Sequence, residues 1–410
     1  MLPQQLQLLL RSLESTEWVQ VLMNLGDVYV VGGCVRDAYL NKTIKDVDLV
    51  VDGTTLDVIK NVLKPFGTTK IVGESFAALK FRPHGYEGED YDIVVPREDR
   101  KTGEGHKGFA VKTEGVDING DLKRRDFTIN SIAVNVKTGE VKDPFGGLKD
   151  LQNKVLKATD IKAFSEDALR IMRGLQFASR FKFTLSPTTL DLMKQNAHLL
   201  SEIPGERIRE EFDKLLKKGG DTGIALDILV KTDLDKALFG KKMSNLSSQE
   251  FTKLDPLSFY YVLGLLGNQN PANFYKDRLK GDFNTFKEIE VLDNLFTKLP
   301  KIEHDEEKLK WEVFVISSKY PQVLNAEIIP PSVARINKEM EAGWLPSSPR
   351  VIPFTGNDVI GMLNSTKQND PRVGEILRKM YKDALSSEYN WKDRKECLEY
   401  LYEIIEKYVS

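Results

Sequence analysis

Between Tyr29 and Asp52 the chain reads YVVGGCVRDAYLNKTIKDVDLVVD. The pattern is an apolar strand, a Gly-Gly turn, a short helix carrying Arg36 and Asp37, and a second apolar strand that opens on Asp46 and Asp48. Residues two apart on a strand project from the same face, so the spacing predicts two carboxylates side by side at one end of a sheet. Adjacent carboxylates repel unless a cation sits between them, which makes Asp46 and Asp48 candidate ligands of Mg²⁺. Gly32 and Gly33 let the backbone approach a ligand and turn helix N–H groups toward an anion. Arg36 adds a bidentate phosphate donor. Gly-Gly turns and strand-end aspartates are common separately; the three features together point to phosphoryl chemistry.

Gripping both the attacking and the leaving oxygen calls for a third carboxylate. Asp92, opening the strand-like YDIVV, is the leading candidate to lie across from Asp48, with Asp90 and Glu89 as competitors. Further on, DLKRRDFTINS gathers Asp121, Arg124, Arg125, Asp126 and Asn130 at what reads as the entrance of a strand. Arg125 would grip a triphosphate or ribose, while Asp126 and Asn130 would orient the arginines and the sugar. The plainer alternative is a salt-bridged strand edge.

The segment SEDALRIMRGLQF reads as one helix, with Ser165 as its N-cap and Asp167, Arg170 and Arg173 recurring every three residues along one face. That row would serve equally as a solvent side. Chemistry favours recognition: a carboxylate accepts from an exocyclic amine and an arginine donates to a ring nitrogen. Cytosine and adenine both offer that pair on their Watson–Crick edges, whereas uracil and guanine present the opposite order. One Asp/Arg pair would thus select C and A by leaving buried polar groups unpaired against the wrong base.

The elements that must position these groups divide the chain. Residues 5–24 look like one amphipathic helix, followed by strand signals to about residue 145: VYVVGG, VDLVV, TKIV, AALKF, YDIVV, FAVKT and DFTINSIAVNV. The helix-like TTLDVIKNVLKPFG interrupts them, and a mixed sheet with helices on one side is the packing this predicts. After the turn DPFGGLKDLQNK nearly every segment has helical period. The fold class is therefore α+β, with Gly219-Gly220 and Pro330-Pro331 as further candidate joints.

The 410 residues carry a net charge of −2, so there is no whole-chain basic excess to mark a nucleic-acid partner. Basic groups cluster locally instead: Arg124-Arg125, then Arg170, Arg173 and Arg180, then Arg207 and Arg209, then Lys214, Lys217 and Lys218. Two distant cysteines, Cys34 and Cys397, make no disulfide framework and suit a reducing cytoplasm, with Cys34 as a buried filler. The amino-terminal apolar run is too short and glutamine-rich for a signal peptide, and no window reaches the length of a membrane span.

Five segments together carry a resemblance: GGCVRDAYLNKTIKDVDLVV, LKRRDFTINSIA, DPFGGLKDL, FSEDALRIMRGLQFASRFKF and ERIREEFDKLL. In this order they are similar to the successive motifs of the class II tRNA nucleotidyltransferases, the CCA-adding enzymes of the polymerase-beta-like nucleotidyltransferase superfamily. The resemblance implies a catalytic head (1–150), a helical neck with a base-reading helix (151–219), a helical body (220–330) and a helical tail that anchors tRNA (331–410). It implies Asp46 and Asp48 as metal ligands with Asp92 as third carboxylate, and nucleotide contacts from Gly33, Arg36 and Arg125; Gly32, Arg124, Asp126 and Asn130 join these nucleotide-binding candidates, and Mg²⁺ is the expected metal, on the reading of the residues above. Asp167 and Arg170 become the base-reading pair with Arg173 beside them, and tRNA, CTP and ATP the substrates. The same chemistry would also serve a poly(A) polymerase or a partial CC- or A-adding enzyme; a non-catalytic RNA-binding relative is the reading from another class.

One position departs from the family: Gln176 stands where many members have an arginine, so a phosphate contact there would be weaker or come from elsewhere, as from Arg180. The segment PREDRKTGEGHKGFAVKTEGVDINGD suits a mobile loop of full family length, with His106 as a surface or RNA-contacting residue. His304-Asp305, with no histidine near it, is no second metal site. FTGNDVIGMLNSTKQNDPRVGEILRKMYKDAL resembles the tail of several members, where it is expected to hold tRNA.

Overall fold

The computed structural model describes residues 1–72, 78–101, 109–243, 251–363 and 370–409. His106 and the rest of 102–108 lie outside them. The chain forms two compact units, Met1–Lys253 and Leu254–Ser410.

The first unit begins with α1 (Gln4–Glu14), α2 (Glu17–Met23), β1 (Asp27–Val31), α3 (Gly33–Tyr39), β2 (Asp48–Asp52) and α4 (Leu56–Leu63). Then come β3 (Gly67–Val72), β4 (Ala78–Pro83), β5 (Tyr91–Val94), β6 (Glu98–Lys101), β7 (Phe109–Lys112), α5 (Ile118–Lys123), β8 (Ala133–Asn135) and β9 (Val141–Lys142). A mixed seven-stranded sheet runs β3-β4-β5-β2-β1-β8-β9, and β6 pairs with β7 as a separate antiparallel ladder within the expected loop. Only the β2/β5 contact is parallel among the sheet's pairs.

Strand alternation assigns the two faces. Tyr29, Val31 and Val50 pack with Ile118 and Leu122 of α5. The opposite face buries Val28, Val30, Leu49, Val51, Phe81 and Ile93, and Trp18 of α2 meets Phe81 edge-on with ring centroids 5.0 Å apart. Helices therefore cover both faces, whereas the sequence suggested one; the near-continuous apolar run of β2 requires two covered faces. The expected single helix over 5–24 is two. Ser15 and Thr16 each turn a hydroxyl onto the Ser12 carbonyl (2.9 and 2.7 Å), a local side-chain bond that competes with helix continuation.

The rest of this unit is helical apart from one short parallel pair. α6 (Gly147–Gln152), β10 (Val155–Leu156), α7 (Ile161–Glu166), α8 (Leu169–Phe181) and β11 (Thr184–Leu185) precede α9 (Pro187–Gln195), α10 (Gly205–Lys217), α11 (Thr222–Lys231) and α12 (Leu234–Phe239). The DPFGGLKDL turn caps α6: Asp143 accepts from Gly147 N and Leu148 N (2.7 and 3.0 Å). Gly147 has no room for a side chain, because a Cβ would stand 2.1 Å from the Thr128 carbonyl oxygen.

The second unit is helical, with Phe283–Ile302, Glu306–Lys319, Pro331–Glu341, Pro371–Leu385 and Arg394–Val409 as its long elements. Its last helices close over Ile352, Phe354, Val359, Ile376, Met380, Cys397 and Leu401. Among the described residues no helix is long and apolar enough to cross a membrane.

Candidate active site

Register decides where the carboxylates meet. Val31 at the end of β1 lies opposite Asp48 at the start of β2, and Asp48 lies opposite Asp92 in β5. Asp48 and Asp92 therefore stand on adjacent strands on the α5 face, directly below the turn that follows Val31. The competitor Asp90 is occupied by Arg82, which donates to it at 2.6 Å. Asp46 is a correction. It lies outside β2 in the irregular stretch after Asn41 and is exposed, so it does not share a strand face with Asp48.

Burial raises the Asp48 carboxyl above the usual range; Arg125 opposes the shift, and the charges of Asp92 and Asp46 add to it. Both other carboxylates thus act electrostatically on Asp48. Asp92 Oδ1 is buried without a hydrogen bond, although Lys80 Nζ lies 2.9 Å away as an ion pair. Among the described residues no three His, Cys, Asp or Glu side chains are gathered closely enough to form a ready-made metal cage.

Gly32 takes φ +70°, and a Cβ on it would come within 2.6 Å of Arg125 Nη1. A side chain at this turn would both strain the backbone and displace the guanidinium. Asp121, fully buried on α5, holds two arginines: Oδ1 takes Arg124 (2.7 and 2.9 Å) and Oδ2 takes Arg125 (3.0 and 3.2 Å). Burial would push this carboxyl up, but the Arg125 and Arg124 charges outweigh it and hold Asp121 below the usual carboxylate range.

A second correction concerns DFTINS, which is not a strand entrance. Arg124 and Arg125 follow α5, Thr128–Asn130 is a 3-10 turn, and the strand proper begins at Ala133. The turn wins because Asp126 accepts from Phe127 N (2.8 Å) and Ser131 Oγ bonds the Phe127 carbonyl (3.0 Å). From it a chain of side chains crosses the site. Arg36 Nη1 donates to Asn130 Oδ1 (2.6 Å), Asn130 Nδ2 donates to Asp126 Oδ1 (2.9 Å), and Arg173 donates to Asp126 Oδ2 through Nε and Nη2 (2.7 and 2.6 Å). Asp126 is held below its usual range by Arg173, Asn130 and Arg170 against the opposing effect of burial. The arginines that Asp126 and Asn130 hold through their side chains are Arg173 and Arg36, whereas Arg124 and Arg125 bond Asp121.

A third correction concerns the helix with Asp167. The segment breaks into α7 and α8, and Asp167 sits in the break with extended backbone (φ −123°, ψ 100°). Ser165 is not a cap; its hydroxyl bonds the Ile161 carbonyl inside α7. Asp167 starts α8 instead, taking Leu169 N on Oδ1 at 3.0 Å. Arg170 and Arg173, in the first turns of α8, remain on one face. Arg170 Nη2 donates to the Arg124 carbonyl (2.5 Å), and its Nη1 is buried without a hydrogen-bond partner.

These groups surround one cavity of about 660 Å³. Gly32, Gly33, Arg36, Asp48, Asp92, Arg124, Arg125, Asp126, Asn130, Asp167, Arg170 and Arg173 all line it; Asp46 lines a neighbouring one beside Asp48. Arg97, Glu166 and Arg207 also line the larger cavity and were not assigned from sequence. Arg207 was visible as part of a basic cluster, whereas Arg97 lies in the short connection between β5 and β6, where no sequence signal marks it. Gln176 is buried, and Arg180 lines the neighbouring cavity rather than this one.

A family model for the poly A polymerase head domain matches residues 28–157, and one for the probable RNA and SrmB-binding site of polymerase A matches residues 182–244. A CCA-adding enzyme of Lactobacillus delbrueckii subsp. bulgaricus is 36% identical over 252 residues, which cover 59% of this chain and 60% of that protein. A CCA-adding enzyme of Anoxybacillus flavithermus is 28% identical over 386 residues, 88% of this chain and 89% of that one. The crystal structure of the Bacillus stearothermophilus CCA-adding enzyme in complex with CTP has the same fold, with TM-score 0.70 and 23% identity over 96% of this chain and 97% of that one.

Proposed function

As the chain belongs to the class II tRNA nucleotidyltransferases, the CCA-adding enzymes, we propose that it adds C, C and A to the 3′ end of tRNA from CTP and ATP without a nucleic-acid template. The observation that carries this reading is one cavity holding both an in-register aspartate pair, Asp48 and Asp92, and the Asp167/Arg170 pair.

The carboxylates suit a hard divalent cation by donor type, and the mutual repulsion at Asp48 is the charge such an ion would neutralise. Mg²⁺ is the proposed ion, held by Asp46 and Asp48 with Asp92 as third carboxylate. When bound, it lowers the pKa of the terminal 3′-OH and offsets the charge of the phosphates. The chain's own residues do the rest. Arg36, Arg124 and Arg125 hold the triphosphate and stabilise the departing pyrophosphate, each guanidinium fixed in advance by Asp37, Asp121 or Asn130. Gly32 lets Arg125 approach. Asp167 Oδ2 and Arg170 Nη1 meet the amine and ring nitrogen of cytosine or adenine, and Asp126 holds Arg173 beside them.

The helical body and tail are proposed to lie along the tRNA, with the tail as anchor, and the buried free thiols of Cys34 and Cys397 fit a cytoplasmic protein. The deciding experiment incubates the protein with tRNA lacking its 3′-terminal CCA and with each nucleoside triphosphate separately and together. Incorporation of C, C and A is expected. Long A tails would make it a poly(A) polymerase, arrest at CC a partial enzyme, and no incorporation an RNA-binding relative.

A further inference from the structure

Beside Arg36 stand two further cations, Arg180 and Lys42, that take no part in gripping the incoming nucleotide. The guanidinium carbons of Arg36 and Arg180 and the ammonium of Lys42 stand 4.9, 4.7 and 5.1 Å from the centre of the same ring, Phe181. Asp37 answers both arginines, at 2.8 Å from Arg36 and 4.0 Å from Arg180. Lys218, just past α10, joins Arg180 at a second cavity of about 350 Å³ that also reaches Asp46. Burial lowers the pKa of both Arg180 and Lys218, and neighbouring positive charges lower them further: Arg36 acts on Arg180, and Arg180 on Lys218. Crowded cations of this kind fit an anion from outside the chain.

The position of the cavity says which anion. It shares Gly33, Arg36 and Asp48 with the larger cavity, but beyond these the linings differ: Asp92, Arg124 and Arg125 line the larger one, Lys42, Asp46, Arg180 and Lys218 the smaller. In-line transfer brings the attacking oxygen to the α-phosphate opposite the departing pyrophosphate. The accepting strand and the incoming nucleotide must therefore reach Asp48 from different sides. We infer that the second cavity seats the phosphodiester that precedes the 3′-terminal nucleotide of the accepting RNA, with Arg180 and Lys218 as its donors. This rests on the RNA extension proposed above. It also gives Arg180 a role different from replacing the arginine absent at position 176, since Arg180 faces the acceptor side.

The test is steady-state kinetics of the full chain on tRNA lacking CCA, with CTP. Arg180→Gln should raise KM for RNA about tenfold and Lys218→Gln about threefold, leaving KM for CTP within about twofold, as loss of a phosphate contact predicts. The two substitutions combined should flatten the log–log salt dependence of RNA binding by about 0.7, the single-strand value for one phosphate. An RNA with a neutral methylphosphonate at that linkage should bind the unaltered protein as weakly as ordinary RNA binds Arg180→Gln, with no further loss when the two are combined. A rise in KM for CTP at constant KM for RNA would assign the cavity to the triphosphate, and no change in either would also overturn the inference. Should Arg180→Gln fail to fold, Lys218→Gln, at an exposed helix end, decides alone. If the unaltered protein incorporates no nucleotide, the proposed function falls instead.

Discussion

Asp48 shows how a functional residue can oppose the fold that carries it. Its carboxyl is raised above the usual value by burial and by Asp92 and Asp46, so its ionised form weakens the folded state at neutral pH. Protonation as pH falls through the folded pKa relieves that cost. Asp48→Asn should therefore raise Tm at pH 7 while lowering CTP incorporation by about a thousandfold, the scale of a lost transition-state charge contact; calorimetry beside a CTP assay checks both. Asp126 behaves oppositely. Its lowered pKa contributes stability above the unfolded carboxyl value, and that contribution is lost as pH falls through the folded one. Asp126→Asn should cost about 3 kcal/mol at pH 7, the low end for breaking a buried pair because the Arg173 side chain is 35% exposed. In urea titrations the difference from the unaltered protein should shrink as pH falls below the unfolded carboxyl value. Arg170→Ala should narrow the preference for CTP and ATP over UTP and GTP by about tenfold to a hundredfold, the scale of one polar contact that distinguishes ligands. Unchanged discrimination would remove Arg170 from base reading.

At the scale of elements, the site is a meeting of one register and two breaks. The Val31, Asp48 and Asp92 row sets the carboxylates beneath the Gly32 turn, and the end of α7 at Asp167 frees that side chain from a helix face. Gly32→Ala tests the first. Its backbone at φ +70°, ψ −123° costs a side chain about 1–3 kcal/mol, and the new methyl would displace Arg125. A lower Tm and a KM for CTP raised by about tenfold or more are expected, from differential scanning fluorimetry and initial rates. Legibility follows the same division. Strands β1, β2, β4 and β5 were readable because each is an apolar run between turn residues. The DFTINS turn and the helix break at Asp167 were not, because there side chains bond the backbone and override periodicity.

Over the whole molecule, a net charge of −2 and a site rich in arginine act together. The proposed binding of RNA therefore draws on local cations, those lining the two cavities of the first unit among them, rather than on a long-range field. About four phosphate contacts would give a log–log salt slope near −3 for the tRNA association equilibrium. Fluorescence anisotropy between 50 and 200 mM salt should therefore show roughly a fiftyfold to hundredfold weakening. A slope near zero would mean that stacking and shape, not phosphate contacts, hold the RNA.

What residue type and spacing determine by themselves is the chemistry: paired carboxylates with arginines and a glycine turn call for phosphate and a divalent cation, and Asp/Arg calls for the edge of C or A. Burial and charge balance also follow from composition. Which carboxylates face one another was a matter of tertiary structure, because strand pairing joins residues such as Asp48 and Asp92 that lie far apart in the chain. The same holds for Arg36, Asn130, Asp126 and Arg173, whose bonds join α3, a 3-10 turn and α8. Local sequence carries no record of such register. Hydrophobic periodicity likewise missed the backbone breaks that leave Asp46 ahead of its strand and Asp167 between two helices, the second made by the local bond from Leu169 N to Asp167.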